Sequence, residues 1–426
     1  MFCHTFFVQC STLFQARKIL FDIGISGAGH AGLAAAVSFA KCGLSVVLID
    51  PQDRAKSSQI YQTEYNHLER TTAYLNQAVE FLDEIDVWDL LKAEACPLRH
   101  LRIVNKQTSW PAKMGPSETT FSANELGHNQ FGFNVPLKDS LLALKKAAEQ
   151  QAGIEWKLGY KLTDFSQRAD CAELYLSNGQ VVRAKLLLGA DGSQSGVRRF
   201  ASISSVKKQT NQIILTFNIT HEKPHANFST EIYSSGGPFT LIPLRSSGEE
   251  NRTAVVWMQT RHDAELLLRL TPDAFLKKLQ HQTMDILGEV ISCSAIGKKE
   301  VTIEIAKKMK SGRAVLIGEA AHSIPPIGAQ GFNLSVQEIS TLTELSLDYK
   351  NRIGCPEMVQ KYEALALPRS LARCGGVGLL NLVAQSSNPA LQIGRELSLT
   401  LLRRSPTIRQ AVMQLGLFGA TKTIFN

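Results

Sequence analysis

Nothing in this 426-residue chain approaches the run of about 18 apolar residues that a membrane-spanning helix needs, so none is expected. The eight cysteines, at positions 3, 10, 42, 96, 171, 293, 355 and 374, include no Cys-x-x-Cys pair. No three histidines group at ligand spacing either. That pattern points away from zinc and disulfides and toward reduced thiols in a reducing compartment. Internal repeats and low-complexity tracts are missing, and so is any basic run interleaved with aromatics that would suggest nucleic acid. With 44% hydrophobic and 20% charged residues, the composition is that of a globular enzyme and not of a disordered chain.

Charge is unevenly spread. The chain carries +8, and from Ser346 onward ten Lys and Arg face four Asp and Glu. A basic C-terminal region of this kind suits an anionic surface such as a membrane, or else forms an ordinary solvated helical face. Residues 1–18 hold no acid and mix Phe2, Phe6, Phe7 and Phe14 with Arg17 and Lys18. A targeting presequence, a disordered extension and an upstream start codon all fit them, and their role stays open.

Ile19 to Ile25 reads as a buried strand ending at a glycine turn. Ala31 to Lys41 reads as a small-residue helix stopped by Cys42-Gly43, and Leu44 to Ile49 as a second strand. That is a strand–loop–helix–strand unit of a parallel sheet. Further expected elements are a surface helix over 137–152, a strand over 181–188, a buried strand at Val315–Gly318 and a helix from Phe332 to about Leu347. Between Asn211 and Ala306 short alternating runs (212–219, 239–244, 253–259) read as an inserted antiparallel sheet. The remainder is helical and amphipathic, with an apolar face over Leu391–Leu402.

Three segments carry chemistry. In Gly27-Ala28-Gly29-His30-Ala31-Gly32, Gly27 permits a tight turn, Gly29 lets backbone approach a pyrophosphate, and Gly32 lets helix and strand pack closely. The helix that follows offers free N–H groups and a positive dipole end. Asp50 ends the second strand where a carboxylate accepts from ribose hydroxyls, and an acid there disfavours a bound 2′-phosphate. The second segment, Asp191-Gly192-Ser193-Gln194-Ser195-Gly196-Val197-Arg198, follows a buried strand; alone it is an ordinary Asp-Gly turn. The third runs Gly318-Glu319-Ala320-Ala321-His322 to Pro326 and Ala329-Gln330-Gly331-Phe332-Asn333. Gly331 opens a helix whose dipole suits a reduced, anionic ring.

In this order the segments resemble the single-component (class A) flavin-dependent aromatic hydroxylases, with their GxGxxG, DGxxSxxR and GDAAHxxxPxxGQGxN patterns. The resemblance runs from about Phe21 to the C-terminal helices. Arg70-Thr71-Thr72-Ala73, Trp88, Phe131–Pro136, Gly237–Leu244 and Val255-Val256-Trp257 look like the ubiquinone-biosynthesis branch. The resemblance implies an α/β, p-hydroxybenzoate-hydroxylase-like fold: an FAD-binding Rossmann-like domain (19–90, 131–205, 307–347), an inserted antiparallel-sheet substrate domain (91–130, 206–306) and a C-terminal helical region (348–426).

It implies FAD as cofactor and NAD(P)H as visiting co-substrate. Gly27, Gly29, Gly32, Asp50 and Arg70 would hold the adenosine and pyrophosphate end, with Asp191 and Arg198 in the neighbouring loop. Gly318 and Glu319 would pass and hold the ribityl chain. Pro326, Ala329, Gln330, Gly331, Phe332 and Asn333 would border the flavin ring, and no acid–base residue or metal is assigned. Leu241, Pro243 and Trp257, with Phe239, would cap the substrate side. The implied reaction is hydroxylation of a polyprenylated phenol through a flavin C4a-hydroperoxide.

Expected partners are that phenol, a ubiquinone-biosynthesis complex, and an anionic membrane surface met by the basic C-terminal region; the expected site is the cytoplasm or the inner face of its membrane. A soluble hydroxylase of a small aromatic acid and a low-turnover FAD-binding subunit are the alternatives. Four positions depart from the pattern: Glu319 and Glu338 replace Asp, Ala329 replaces the first glycine of GQG, and His30 takes a slot usually held by Pro or Met. His30 and His322 read as framework residues.

Overall fold

Leu20–Ser26 lies inside an eight-stranded sheet and pairs in parallel with Val181–Gly189 on one side and Val46–Asp50 on the other. Ile154–Leu158 and Ala314–Leu316 extend the parallel set at either end. Val46–Asp50 and Ala314–Leu316 are buried throughout and read as apolar runs, whereas Ile154–Leu158 and the first half of Val181–Gly189 alternate, with Glu155, Lys157, Arg183 and Lys185 at every second position. The structure is a computed structural model describing residues 19–52, 70–106, 117–234, 236–386 and 388–417. The N-terminal segment 1–18 lies outside the described residues, as does the end of the C-terminal region from 418.

Register places the three chemical segments together. Ser26 lies opposite Gly189, and Gly189 opposite Leu316. The loops that follow these strands, at Gly27, Ala190 and Ile317, therefore leave one sheet edge side by side. The helices His30–Lys41 and Gln330–Asp348 pack against each other above them, with a buried hydrogen bond between Ser38 and Thr343 (3.0 Å). Helix Leu137–Glu149 packs on the first of these and buries Leu141, Leu144 and Ala148. It is less of a surface helix than its charged residues suggested.

The nine-stranded second sheet is antiparallel apart from one parallel pairing, Phe228–Ser234 with His100–Asn105. Its long strands Ser205–His221 and Gly297–Ala306 begin and end beside the first sheet, where Ser205 lies opposite Ala306. Alternation gives it two unlike faces. Ile213, Leu215, Phe217, Ile232, Phe239, Leu241 and Trp257 pack under helices Arg261–Leu268 and Pro272–Thr283. Ile214, Val256 and Met258 face the other way, onto Ile324, Ile327 and Val377.

A small three-stranded sheet joins Thr71–Leu75, Gly132–Pro136 and Cys96–Leu98. The C-terminal helices, Pro356–Gln385, Pro389–Arg404 and Pro406–Leu417, each begin with proline, whose missing N–H costs nothing at a first helical position. None of the six described cysteines forms a disulfide.

Candidate FAD site

At Gly27 the backbone takes φ 107°, and a Cβ there would lie 2.4 Å from the Ala190 carbonyl oxygen. At Gly32 a Cβ would lie 1.8 Å from the Gly27 oxygen. Gly29 differs: nothing lies within 4 Å of the space its Cβ would take. Two glycines close the loop on itself, and the middle one leaves its approach open. The buried carboxylate of Asp50 accepts the N–H of Ala28 (2.7 Å) and that of Gln52 (2.8 Å), so it braces the glycine loop from below.

His30 stacks on Phe332, with centroids 3.7 Å apart and planes at 10°. Its Nε2 lies 2.6 Å from Tyr74 Oη and 2.8 Å from Ser140 Oγ, and those two hydroxyls also bond each other. Burial, with the Arg70 cation behind it, pushes His30 down to about 3. The ring is therefore neutral, and it pins the glycine loop to the third segment.

Asp191 accepts from Ser195 Oγ (2.5 Å) and from the N–H groups of Gly196 (2.8 Å) and Val197 (3.1 Å), capping the short helix Gly196–Phe200. Arg198 donates to the carbonyls of Ser193 (2.8 Å) and Ala320 (2.7 Å) and to Glu304 (2.8 Å). One guanidinium thus ties the second segment to the third and to the antiparallel sheet. Neither side chain is spare; both hold the loop in shape.

In the third segment Gly318 has φ 58°, and a Cβ there would press within 3.3 Å of Ala31 at the start of the first helix. Glu319 is exposed, with Lys299 3.3 Å away. Pro326 and Gly331 are exposed, and Gln330 donates to the Gly328 (2.7 Å) and Gly416 (3.1 Å) carbonyls. Ala329 sits at φ 57°, ψ 28°, a left-handed conformation that costs an alanine about 1 kcal/mol. Asn333 accepts from the Leu75 N–H (2.9 Å) and donates to the Ala73 and Ala329 carbonyls (2.8 and 2.5 Å), locking the helix start to the small sheet.

Beneath it, buried Glu338 accepts from the Gly318 N–H (2.8 Å), His322 Nε2 (2.7 Å) and Ser370 Oγ (3.0 Å). Burial opposes charge on His322, but the Glu338 carboxylate outweighs it and raises the imidazole above its ordinary value. The longer Glu338 thus fills its slot with three donors.

Both helix starts at this edge, Gly29 and Ala329, lack a side-chain cap, so first-turn N–H groups are left without an intrahelical or capping acceptor. Gly29 and Gly331 add open backbone beside them. Two uncapped dipole ends on one sheet edge fit a long dinucleotide with a phosphate near one end and an anionic ring near the other. The family described as FAD binding domain matches residues 21–371. The chain belongs to it. FAD is accordingly its cofactor, and the residues around the two helix starts fit that molecule.

The FAD-binding chain is 26% identical to a ubiquinone hydroxylase, UbiL, of Rhodospirillum rubrum, over 92% of this chain and 88% of the relative. It is 25% identical to the 3-demethoxyubiquinol 3-hydroxylase of Escherichia coli, over 93% of this chain and 98% of the relative. Among solved structures, p-nitrophenol 4-monooxygenase PnpA from Pseudomonas putida superposes with a TM-score of 0.74 at 14% identity, covering 95% of this chain and 99% of that one. HpxO from Klebsiella pneumoniae, complexed with FAD, gives 0.72 at 16%, covering 93% and 98%.

The candidate substrate residues Leu241 and Trp257 lie on the sheet face opposite Ile214, Val256 and Met258. Leu241 and Trp257 are buried in the core under the two sheet-covering helices, with Phe239, and Pro243 is buried on the same strand parity. The reason is the period of two: their immediate neighbours, Ile242 and Val256, take the opposite face. Sequence reading also passed over Glu304, His322's three-donor partner network and Glu231. Only an acid inside an alternating strand marked Glu304 and Glu231 out.

Proposed function

We propose that this FAD-binding chain is a monooxygenase that hydroxylates the aromatic ring of a polyprenylated phenol in ubiquinone biosynthesis, with NAD(P)H and O₂ as co-substrates. The observation that carries the reading is the pair of uncapped helix starts on one sheet edge, the second of them following the loop whose Ile324 and Ile327 pack on Ile214, Val256 and Met258. The named activities of the relatives give the substrate class.

In this reading residues 19–90, 131–205 and 307–347 hold the cofactor, 91–130 and 206–306 the substrate, and 348–426 form the C-terminal helical region. Gly27, Gly29 and Gly32 take the pyrophosphate, with Asp50 and Arg70 toward the adenosine, and Asp191 and Arg198 keep the adjoining loop in register. Gly318 and Glu319 line the ribityl chain; Pro326 and the turn Ala329–Asn333 border the ring. Bound FAD supplies the redox and oxygen chemistry. The chain's own part is to orient the ring, to set the dipole of helix Gln330–Asp348 against negative charge on it, and to exclude water with the apolar cluster of Ile214, Val256 and Met258.

The test is to incubate the FAD-loaded protein with NAD(P)H, isotopically heavy O₂ and a short-chain prenylated phenol. One heavy oxygen atom in the product supports the reading. Turnover of simple phenolic acids alone moves it to a soluble hydroxylase, and tightly held FAD with no oxygen transfer to any phenol moves it to a low-turnover subunit.

A water-insoluble substrate calls for a surface, and the C-terminal helices offer one. Leu379 (63% exposed), Leu380, Leu397 (65%) and Leu401 stand out toward solvent, with Arg369, Arg403 and Arg404 also exposed. No helix among the described residues is long and apolar enough to cross a membrane, so contact would be peripheral. Flotation with anionic vesicles checks this: replacing the four leucines by serine should abolish co-migration, and unchanged flotation would reject it.

A further inference from the structure

Strand Phe228–Ser234 contains a single acid, Glu231, and it is 8% exposed. Its neighbour Ile232 packs in the core with Leu241 and Trp257, so strand alternation turns Glu231 to the opposite face. Ladder register sets Thr240 beside Glu231, Val256 beside Thr240, and Thr216 beside Val256. Val256 belongs to the face that meets Ile324 and Ile327, on either side of Pro325 and Pro326. Glu231 also lies close enough to that loop for the Gly328 backbone N–H to favour its charged form. Tyr233 Oη donates to its Oε2 at 3.1 Å.

Tyr233 Oη is the donor bonded to this carboxyl, and among the described residues no Lys or Arg pairs with it. Arg395 lies over the Tyr233 ring at 5.6 Å and donates through its two terminal nitrogens to Asn105 and to the Val383 and Ala384 carbonyls. Burial accordingly holds Glu231 above the ordinary carboxyl range, with Tyr233 and Gly328 pulling against it. A glutamine would accept from Tyr233 through its carbonyl oxygen without the desolvation cost of an acid, so that bond does not by itself require one. A carboxyl keeps a second oxygen to accept with. Glu231 and Thr240 stand side by side as polar groups on the sheet face that carries Val256.

We propose that Glu231 is a substrate-contacting residue, accepting a hydrogen bond from the hydroxyl of the phenol and so fixing which edge of the aromatic ring faces the flavin. The inference rests on the hydroxylase reading above and names a contact of that same site. A hydrogen bond accepted from the phenol also raises electron density on the ring, which favours attack on an electrophilic oxygen.

The experiment titrates the oxidised, FAD-loaded protein, without O₂ or NAD(P)H, with a short-chain prenylated phenol and with its O-methyl ether, reading the shift in flavin absorbance. Glu231→Ala should weaken the phenol by about tenfold and leave the ether and the FAD content unchanged, and Glu231→Gln, which keeps the Tyr233 bond but lacks a second acceptor oxygen, should weaken it similarly. If Glu231→Ala loses FAD, the bulkier Glu231→Leu is titrated in its place with the same expectation. Equal weakening of phenol and ether would show a merely structural role and overturn the proposal, as would no change in either. A wild-type protein whose flavin responds to no phenol would overturn the hydroxylase reading, and this contact with it; that failure appears without any variant.

Discussion

At the FAD edge the side chains named by the motifs turn inward: Asp50 onto Ala28, Asp191 onto its own helix start, Arg198 onto two carbonyls and Glu304. What they leave facing outward is backbone, at Gly29 and Gly331 and at two uncapped helix starts. The inserted sheet works the other way. Its backbone is consumed in ladders, and side chains alone distinguish the face under the helices from the face toward the flavin loop. One region presents main-chain donors that almost any sequence could provide if shaped correctly. The other presents whichever side chains fall on each parity.

Breaking the shape of the first region should cost most. Gly32→Val drives a side chain into the Gly27 carbonyl, and we expect a loss of more than about 4 kcal/mol, read as absence of a cooperative melt. Glu338→Ala strands His322, Ser370 and the Gly318 N–H in the interior and should cost about 3–5 kcal/mol in denaturant unfolding. The same pair gives a pH signature. His322 binds its proton more tightly folded than unfolded, so its contribution is fully present below its unfolded value, about 6.5, and is lost as pH rises through the raised folded value. Melting temperature should fall across that window in the wild type and lack this component in Glu338→Gln.

On the sheet, Trp257→Leu should cost about 2 kcal/mol yet leave the bound-flavin spectrum unchanged, because the indole lies on the far face. Val256→Gln should do the reverse, sparing stability and altering the flavin response to phenol; a spectrum sensitive to Trp257 and indifferent to Val256 would invert the face assignment. The smallest effect is expected at Ala329→Gly, which relieves a left-handed alanine and should stabilise by about 1 kcal/mol at most, visible as a small rise in melting temperature.

The sequence made the first region largely legible because its rules are local. Glycine spacing, the Cys42-Gly43 stop and the apolar run before Asp50 each report on a few neighbouring residues. Partnerships across the chain were not legible: Arg198 meets Glu304 106 positions away, and Asn333 meets Leu75 258 positions away. Which face of the inserted sheet is packed under helices was not legible for a related reason. Phe239, Leu241 and Trp257 alternate correctly, but alternation names two faces without saying which one the helices cover. Glu231 was passed over because an isolated acid in a strand looks like a solvent-facing residue until the opposite face is seen to be packed.

The most direct test is cofactor retention at Gly29, the one glycine of the first loop with open space where its Cβ would be. Wild type loaded with FAD and freed of excess should release about one FAD per chain on denaturation. Gly29→Ala should melt, as apoprotein, at the wild-type temperature but retain little FAD, because the added methyl occupies the approach to the helix start. A Gly29→Ala protein that holds FAD as tightly as the wild type, or a wild-type chain that holds none, would contradict the account.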